Sequence, residues 1–182
     1  LDASGCIVSS GFVDLHAHLR EPGKEEAETI ETGSRAGALG GYTALIAMPN
    51  TDPPQDSVAV IDFVREQGKR AGLVDVVPSG CITLGRQGES LAPMAELSLA
   101  GVTLFTDDGN GVQDAALMRR ALEYVKAFGG VIAQHAQEPR LTEGAQMNEG
   151  ALSSELGLAG WPAVAEEAII ARDVLLAEHV GA

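Results

Sequence analysis

Two histidines and an arginine stand at alternating positions in the segment from Gly11 to Arg20, GFVDLHAHLR. The apolar run from Phe12 to Leu15 predicts a β-strand, and alternate residues of a strand point to the same face. His16 and His18 therefore leave the strand in one direction, and neutral imidazole is a common metal ligand. If the strand continued, Arg20 would lie on the same face, where a guanidinium can hold a carboxylate through two hydrogen bonds. The segment predicts a metal site with an anion anchor beside it.

The elements that must position these side chains alternate along the chain. Short apolar runs predict strands, and the run from Tyr42 to Met48 lacks polar alternation, as in a strand buried on both faces. Strands and helices that alternate about every 30 residues are typical of right-handed βαβ units and a parallel sheet. We predict strands that begin near residues 12, 42, 74, 102 and 131, helices over 24–39, 56–71, 91–100, 114–128 and 162–179, and a polar segment over 138–160.

Two architectures agree with this order, a doubly wound sheet and a (β/α)8 barrel. The sequence contains neither GxGxxG nor GxxxxGK[ST], the phosphate-binding motifs of many doubly wound folds. Its polar candidates instead follow strand ends, as at the catalytic rim of a barrel, so we predict the α/β class and a TIM-type barrel. Since a full barrel takes about 250 residues, we expect residues 11–182 to be its incomplete N-terminal part, with about five βα units.

Polar residues with metal-binding or hydrogen-bonding side chains follow three of the later strands. Asn50 follows the second strand, Asp108 the fourth and His135 the fifth. Together with the two histidines of the first strand, Asp108 and His135 give three imidazoles and one carboxylate, which suit Zn²⁺ or a similar divalent ion. A bound metal lowers the pKa of water toward neutrality. The set predicts a metal centre that activates water.

Each of these signals has a structural explanation when it is taken alone. The two histidines could lie on a polar strand edge, and Arg20 could be a surface charge. The sequence Asp107-Asp108-Gly109 is also typical of a plain turn, and His135 of a hydrogen-bonded core histidine. Their joint occurrence at successive strand ends favours the functional interpretation.

The net charge and the cysteine spacing restrict the binding partners and the cellular compartment that we expect. The chain of 182 residues has 12 Lys and Arg against 26 Asp and Glu, a formal net charge of −14. Such an acidic chain disfavours nucleic acid and anionic membranes as partners. No apolar run approaches the roughly 18 residues of a membrane span. Because Cys6 and Cys81 lie far apart and form no CxxC pattern, we expect a reducing cytoplasm.

Four motifs carry a family resemblance: GFVDLHAHLREPG, AMPNTDPP, LFTDDGNG and VIAQHAQEPRL. Through them the chain, from about residue 5 to 182, resembles the dihydroorotases of the amidohydrolase superfamily. It is most similar to the bacterial class with an Asp-Asp-Gly loop after barrel strand 4. The resemblance implies reversible, zinc-dependent hydrolysis of L-dihydroorotate to N-carbamoyl-L-aspartate in pyrimidine biosynthesis. It also implies that residues 1–10 are a remnant of the family's small N-terminal β-domain.

The same resemblance implies a metal-ligand set for one or two Zn²⁺ ions. His16, His18 and His135 match the family's histidine ligands by motif. Asp108 stands where many members of the superfamily carry a bridging carboxylated lysine, so lysine carboxylation is not expected here.

Substrate-binding and catalytic residues are implied only in part. Arg20 and Asn50 match the residues that hold the substrate carboxylate. The family also has a histidine ligand after strand 6 and a catalytic aspartate after strand 8, which have no match here. We expect that aspartate to lie beyond Ala182. His179 follows a helical pattern and is interpreted as a surface histidine near a helix C-terminus.

Other functions stay open at this point. Hydantoinases and allantoinases resemble the same HxH strand, but they usually carry the lysine bridge, and Asp108 and Arg20 argue against them. A non-catalytic, dihydroorotase-like partner of aspartate transcarbamoylase is disfavoured by the intact ligands. As partners we expect dihydroorotate or carbamoyl aspartate, and we leave a homodimer open. The 182 residues alone are expected to be inactive.

Overall fold

The computed structural model describes residues 2–182, in which β-strands alternate with helices. The strands are β1 Phe12–Ala17, β2 Tyr42–Ala47, β3 Asp75–Pro78, β4 Leu104–Phe105, β5 Val131–Ile132, β6 Met147–Asn148 and β7 Gly160–Trp161. The helices are α1 Ile30–Leu39, α2 Val58–Ala71, α3 Met94–Leu99, α4 Ala115–Val125, α5 Pro139–Thr142, α6 Ala151–Leu156 and α7 Val164–Val180. None of the helices described is long and apolar enough to cross a bilayer.

Parallel pairing brings the carboxyl ends of the strands to the same edge. The first three strands form a sheet in the order β1-β2-β3, and β4 pairs with β5. A parallel bridge between Gly80 and Phe105 joins the segment after β3 to β4, while β6 and β7 form a separate pair. The first five strands begin at residues 12, 42, 75, 104 and 131, close to the predicted positions. The predicted α/β class is confirmed.

A buried aromatic ring fixes the place where β4 ends. Phe105 is fully buried, and its ring packs edge-to-face on Phe128 with 5.8 Å between the ring centroids. Gly80 and Gly130 contact opposite edges of this ring, and a Cβ at either position would lie 2.9 Å from a ring carbon. Burial of such a side chain contributes about 1.5 to 3 kcal/mol. The residues that follow Phe105 therefore leave the sheet at a defined position.

The apolar core lies between the strands and the helices in two clusters. One cluster lies under the first three strands and includes Ile30 of α1, Leu45 of β2 and Val64 of α2. The other centres on Phe105 and Met118 of α4, and the C-terminal half of α7 packs against it. Phe105 is the last residue of β4, so the second cluster anchors the strand end from which the Asp107-Asp108 loop departs.

Two charged side chains of α7 hold the segments that follow β4 and β5. The Arg172 guanidinium donates to the main-chain carbonyl oxygens of Val112 at 2.7 Å and of Gln113 at 2.6 Å. The neighbouring Asp173 accepts a hydrogen bond of 3.0 Å from the Gln134 side chain. One helix thus fixes the loop after β4 relative to the end of β5.

The first helix begins later than predicted. Residues 25–27 form a turn, and α1 starts at Ile30. Thr29 caps the helix, because its hydroxyl accepts from the Thr32 N–H at 3.1 Å. The Glu21 carboxylate accepts from the Ile30 N–H at 2.8 Å, so a long-range contact satisfies a second helix-end donor. Helical spacing alone does not reveal either contact.

Two parts of the C-terminal third contain more than their sequence pattern indicated. The segment 138–160, predicted as a polar segment, contains α5, β6 and α6 and the start of β7. Apolar residues at helical spacing in the last predicted helix include Ala165, Ile169, Val174 and Leu175; the first two are buried, but Val174 and Leu175 are 59% and 66% exposed. At its C-terminal end α7 packs against the core through Leu176, Ala177 and Val180 instead.

Replacement of Gly68 by alanine tests the packing of α2 on β3. A Cβ at Gly68 would lie 2.5 Å from the Cβ of Val76. Glycine to alanine in a helix normally stabilises by about 1 kcal/mol, but overpacking costs about 1 to 3 kcal/mol or more. We expect Gly68→Ala to lower the free energy of unfolding in urea by at least about 1 kcal/mol. Gln67→Ala is the control, with a change within about 0.5 kcal/mol. A Gly68→Ala protein as stable as the parent would contradict this packing.

Candidate metal centre

The first strand delivers the two histidines of the HxH segment. His16 lies in β1, and His18 follows its last residue, Ala17. The two rings approach edge-to-face, with 5.1 Å between their centroids. The Asp14 carboxylate accepts from the His16 main-chain N–H at 2.9 Å, and the Met48 N–H donates to the Ala17 carbonyl at 2.9 Å. These contacts fix the backbone on which both imidazoles are mounted.

The Asp108 carboxylate lies at the centre of three imidazoles. His16 Nε2 lies 3.3 Å from Asp108 Oδ1, and His18 Nε2 lies 3.4 Å from Oδ2. His135 Nδ1 lies 3.4 Å from Oδ1. The Asp108 side chain is only 6% exposed, whereas His16 is about half exposed. The structure therefore brings together all four residues that the sequence predicted as metal ligands.

The two aspartates of the Asp-Asp-Gly loop have different surroundings. Asp107 is fully buried, and its Oδ1 accepts from the main-chain N–H groups of Ile82 at 2.8 Å and Thr83 at 3.0 Å. The Thr83 hydroxyl donates to its Oδ2. Burial raises the pKa of Asp107, and these hydrogen bonds oppose that rise in part. Asp107 thus ties the end of β4 to the segment after β3, and Asp108 is left to face the histidines.

The spacing of these donors suits a tetrahedral ion. Zinc binds histidine nitrogen and carboxylate oxygen at about 2.0 to 2.2 Å, so two ligands of one tetrahedral ion lie about 3.3 Å apart. The three nitrogen–oxygen distances around Asp108 agree with that separation. One ligand atom each from His16, His18 and Asp108 lie within 4.8 Å of one another. His135 contacts the same carboxylate from outside that group.

A cavity opens beside these ligands. It has a volume of about 370 Å³, and its lining includes His16, Asp108, His135, Trp161 and Glu166. Small-molecule sites typically have volumes of about 300 to 1,000 Å³. Trp161 of β7, just after the predicted polar segment 138–160, therefore contributes a wall to the site.

The two residues expected to hold a substrate carboxylate differ in their placement. Asn50 follows β2, and its amide reaches both His18 Nδ1, at 3.0 Å, and Asp108 Oδ2, at 3.2 Å. Because β1 ends at Ala17, Arg20 does not continue the face of the strand. It has a left-handed backbone conformation with φ of 59°, which is uncommon for a residue other than glycine. Within residues 2–182, its half-buried guanidinium forms no ion pair.

Two residues that were not predicted from the sequence contact the proposed ligands. Arg86 donates to the main-chain carbonyl of Asp108, and its own carbonyl accepts from the Asn110 side chain at 2.8 Å. Gln137 Oε1 lies 3.0 Å from His135 Nε2. Arg86 acts on a main-chain atom, which no side-chain pattern reveals. The position of Gln137, two residues after His135, was a usable signal.

The class of protein follows from this fold and site. Parallel strands whose carboxyl ends bring three imidazoles to one buried carboxylate make this an α/β protein of the amidohydrolase type. Residues 5–182 match the family model described as Dihydro-orotase-like, and the chain belongs to this family. The family predicted from the four motifs is therefore confirmed.

Individual relatives agree with this assignment. The chain is 61% identical to the Dihydroorotase of Streptomyces coelicolor and covers 43% of that protein. It is 62% identical to the Dihydroorotase of Leifsonia xyli subsp. xyli and covers 42% of it. All of this chain is aligned in both cases, so it spans less than half the length of these relatives.

A solved structure supports the fold. The L-Hydantoinase (Dihydropyrimidinase) from Arthrobacter aurescens matches all of this chain and 42% of its own, with a TM-score of 0.76. The sequence identity is 22%, so this similarity concerns the arrangement of strands and helices.

Alanine replacements of Asp107 and Asp108 test whether the first supports the fold and the second binds metal. Asp107→Ala leaves two buried main-chain N–H donors without an acceptor, and each such donor costs about 1 to 3 kcal/mol. We expect this variant to lose at least about 2 kcal/mol of unfolding free energy in urea. Asp108→Ala removes no acceptor from a main-chain donor, so its loss should be smaller, while bound divalent metal measured by atomic spectroscopy should disappear. Equal losses of stability would contradict the division of roles.

Proposed function

We propose that this chain is part of a dihydroorotase, an enzyme that interconverts L-dihydroorotate and N-carbamoyl-L-aspartate in pyrimidine biosynthesis. The observation that carries the proposal is the Asp108 carboxylate with three imidazole nitrogens at 3.3 to 3.4 Å, in a chain of the Dihydro-orotase-like family. Relatives named Dihydroorotase, with identities of 61% and 62% over the whole chain, support it. The proposed partner is therefore a small cyclic amide with a carboxylate.

Zinc is the proposed metal, held by His16, His18, Asp108 and His135. When bound there, it supplies a Lewis acid that lowers the pKa of water and polarises a carbonyl. Asp108, in place of a carboxylated lysine, accepts a hydrogen bond from Asn50 and stays buried at 6% exposure, which favours a fixed orientation.

The remaining residues of the site have a binding role in this proposal. Arg20 and Asn50 hold the substrate carboxylate and so orient the ring amide toward the metal ligands. The guanidinium of Arg20 has no internal carboxylate partner among the described residues, so it is available for an anion. Trp161 contributes to the wall of the cavity. The proton-transferring aspartate is not assigned to any of these residues.

The proposed dihydroorotase also has a proposed fold, a barrel of which this chain forms one part. We take residues 11–182 as the N-terminal part of a TIM-type (β/α)8 barrel and residues 1–10 as a remnant of the small β-domain. The parallel order from β1 to β5 and the TM-score of 0.76 to a hydantoinase support it. The cytoplasmic location, a homodimer and an association with aspartate transcarbamoylase stay predictions.

Metal removal tests the proposed centre. Treatment with a chelator should abolish hydrolysis of dihydroorotate by the purified dihydroorotase of which this chain is proposed to be part, and added Zn²⁺ should restore it. His16→Ala should lose bound zinc and activity together, because it removes one of four donors. His179→Ala, which removes an exposed histidine at the end of α7, is the matched control and should keep both. Full turnover by a metal-depleted enzyme would refute the proposal.

Arg20 tests the substrate assignment. Loss of a charge-assisted contact to the substrate carboxylate should raise KM for dihydroorotate by at least about tenfold in Arg20→Ala, with a smaller change in kcat. Lys24→Ala removes an exposed positive charge from the same loop and should leave KM unchanged. Uncharged 5-substituted hydantoins, assayed in parallel, should be poor substrates. An unchanged KM, or faster turnover of the hydantoins, would favour a hydantoinase instead.

A further inference from the structure

We propose that Asn50 and Gln137 are positioning residues that fix the ring tautomers of His18 and His135. Each amide oxygen accepts a hydrogen bond from one ring N–H, so the other ring nitrogen, which faces Asp108, carries a lone pair. This inference deepens the proposed function, because it rests on the metal centre described there. It assigns a role to Gln137 that neither the motifs nor the fold gives it.

The orientation of the Asn50 amide follows from its two neighbours. A carboxylate can only accept hydrogen bonds, so the atom that lies 3.2 Å from Asp108 Oδ2 must be the amide nitrogen. The amide oxygen then faces His18 Nδ1 at 3.0 Å, and an amide oxygen can only accept. The proton of the neutral ring is therefore on Nδ1, and Nε2, which lies 3.4 Å from Asp108, is bare.

The Gln137 amide is oriented in the same way by a hydroxyl. The Thr142 hydroxyl can donate to the main-chain carbonyls of Pro139 at 3.3 Å and Glu138 at 3.4 Å, so its oxygen accepts from the Gln137 amide at 2.6 Å. The Gln137 oxygen then faces His135 Nε2 at 3.0 Å and accepts its proton. Nδ1 is left bare toward Asp108.

The two rings thus use different nitrogens for the same purpose. His18 presents Nε2 and His135 presents Nδ1, and in each case an amide holds the other nitrogen. Partners of this kind fix the tautomer and the orientation of a metal ligand, and their loss typically lowers metal affinity by about 10- to 100-fold. One N–H of the Asn50 amide contacts Asp108, which leaves its second N–H for the substrate carboxylate.

The first test measures the tautomers directly in the unmutated, ¹⁵N-labelled protein. Long-range ¹H–¹⁵N spectra distinguish protonated from bare ring nitrogens. They must be recorded without metal, since a bound ion would itself keep the ring nitrogens bare, and at about pH 8.5, above the ordinary histidine pKa. We expect His18 protonated on Nδ1 and His135 on Nε2. The opposite tautomer of either ring, or a mixture of both forms, would overturn the proposal.

The second test replaces Gln137 in the same protein. Gln137→Leu should give a mixture of His135 tautomers and lower zinc affinity by about 10- to 100-fold, measured by competition with a chelating dye. Gln137→Glu keeps an acceptor for the His135 Nε2–H, so it should restore the single tautomer and the zinc affinity. Gln113→Leu is the matched control, because its amide contacts only main-chain oxygens, including that of Gln137. Unchanged tautomers and affinity in Gln137→Leu would overturn the role of Gln137.

The two proposals fail in different ways. If the tautomers are as assigned but the unmutated protein binds no zinc, the metal centre of the proposed function fails and the tautomer assignment stands. If zinc binds tightly while either ring has the other tautomer, the metal centre stands and the present inference fails.

Discussion

The arrangement of the site depends on one buried carboxylate that is not itself a candidate ligand. Asp107 receives two main-chain N–H groups from the segment after β3 and a hydroxyl from Thr83. Burial of a charge without such partners would be costly, so the loop after β4 has little freedom to adopt another course. Phe105, whose ring packs between Gly80 and Gly130, fixes the end of β4 just before this loop. Together they determine where Asp108 can point, and the three imidazoles converge on that place.

Much of this arrangement could be inferred from the sequence, because its physical causes are local. Buried parallel strands are continuous apolar runs, so the starts at residues 12, 42 and 131 were predicted closely. Parallel strands also end on the same edge, and this alone brought His16, Asp108 and His135 together in the prediction. Both aspartates follow the same strand, and the family motif supports the choice of Asp108 over Asp107.

What the sequence did not reveal depends on contacts between distant segments. The start of α1 is set by Thr29 together with Glu21, which lies nine residues before the helix. The structure within 138–160 depends on the pairing of two-residue strands, which are too short to show a period. Arg86 contacts the site through a main-chain oxygen, and Gln137 through one ring nitrogen. The contact of Arg86 produces no pattern of residue types, whereas the position of Gln137 two residues after His135 was a usable signal.

The side chains that surround Asp108 come from segments that are far apart in the chain, because His16 precedes Asp108 in the sequence and His135 follows it. The unfolded chain cannot present the same four atoms at once, so a cation bound there favours the folded state by mass action. At a free concentration of one hundred times Kd this contribution is about 2.7 kcal/mol, a sizeable part of the stability of an ordinary domain. An ion bound there would thus join β1, β4 and β5, so its removal would lower the free energy of unfolding as well as remove the chemistry proposed for the site.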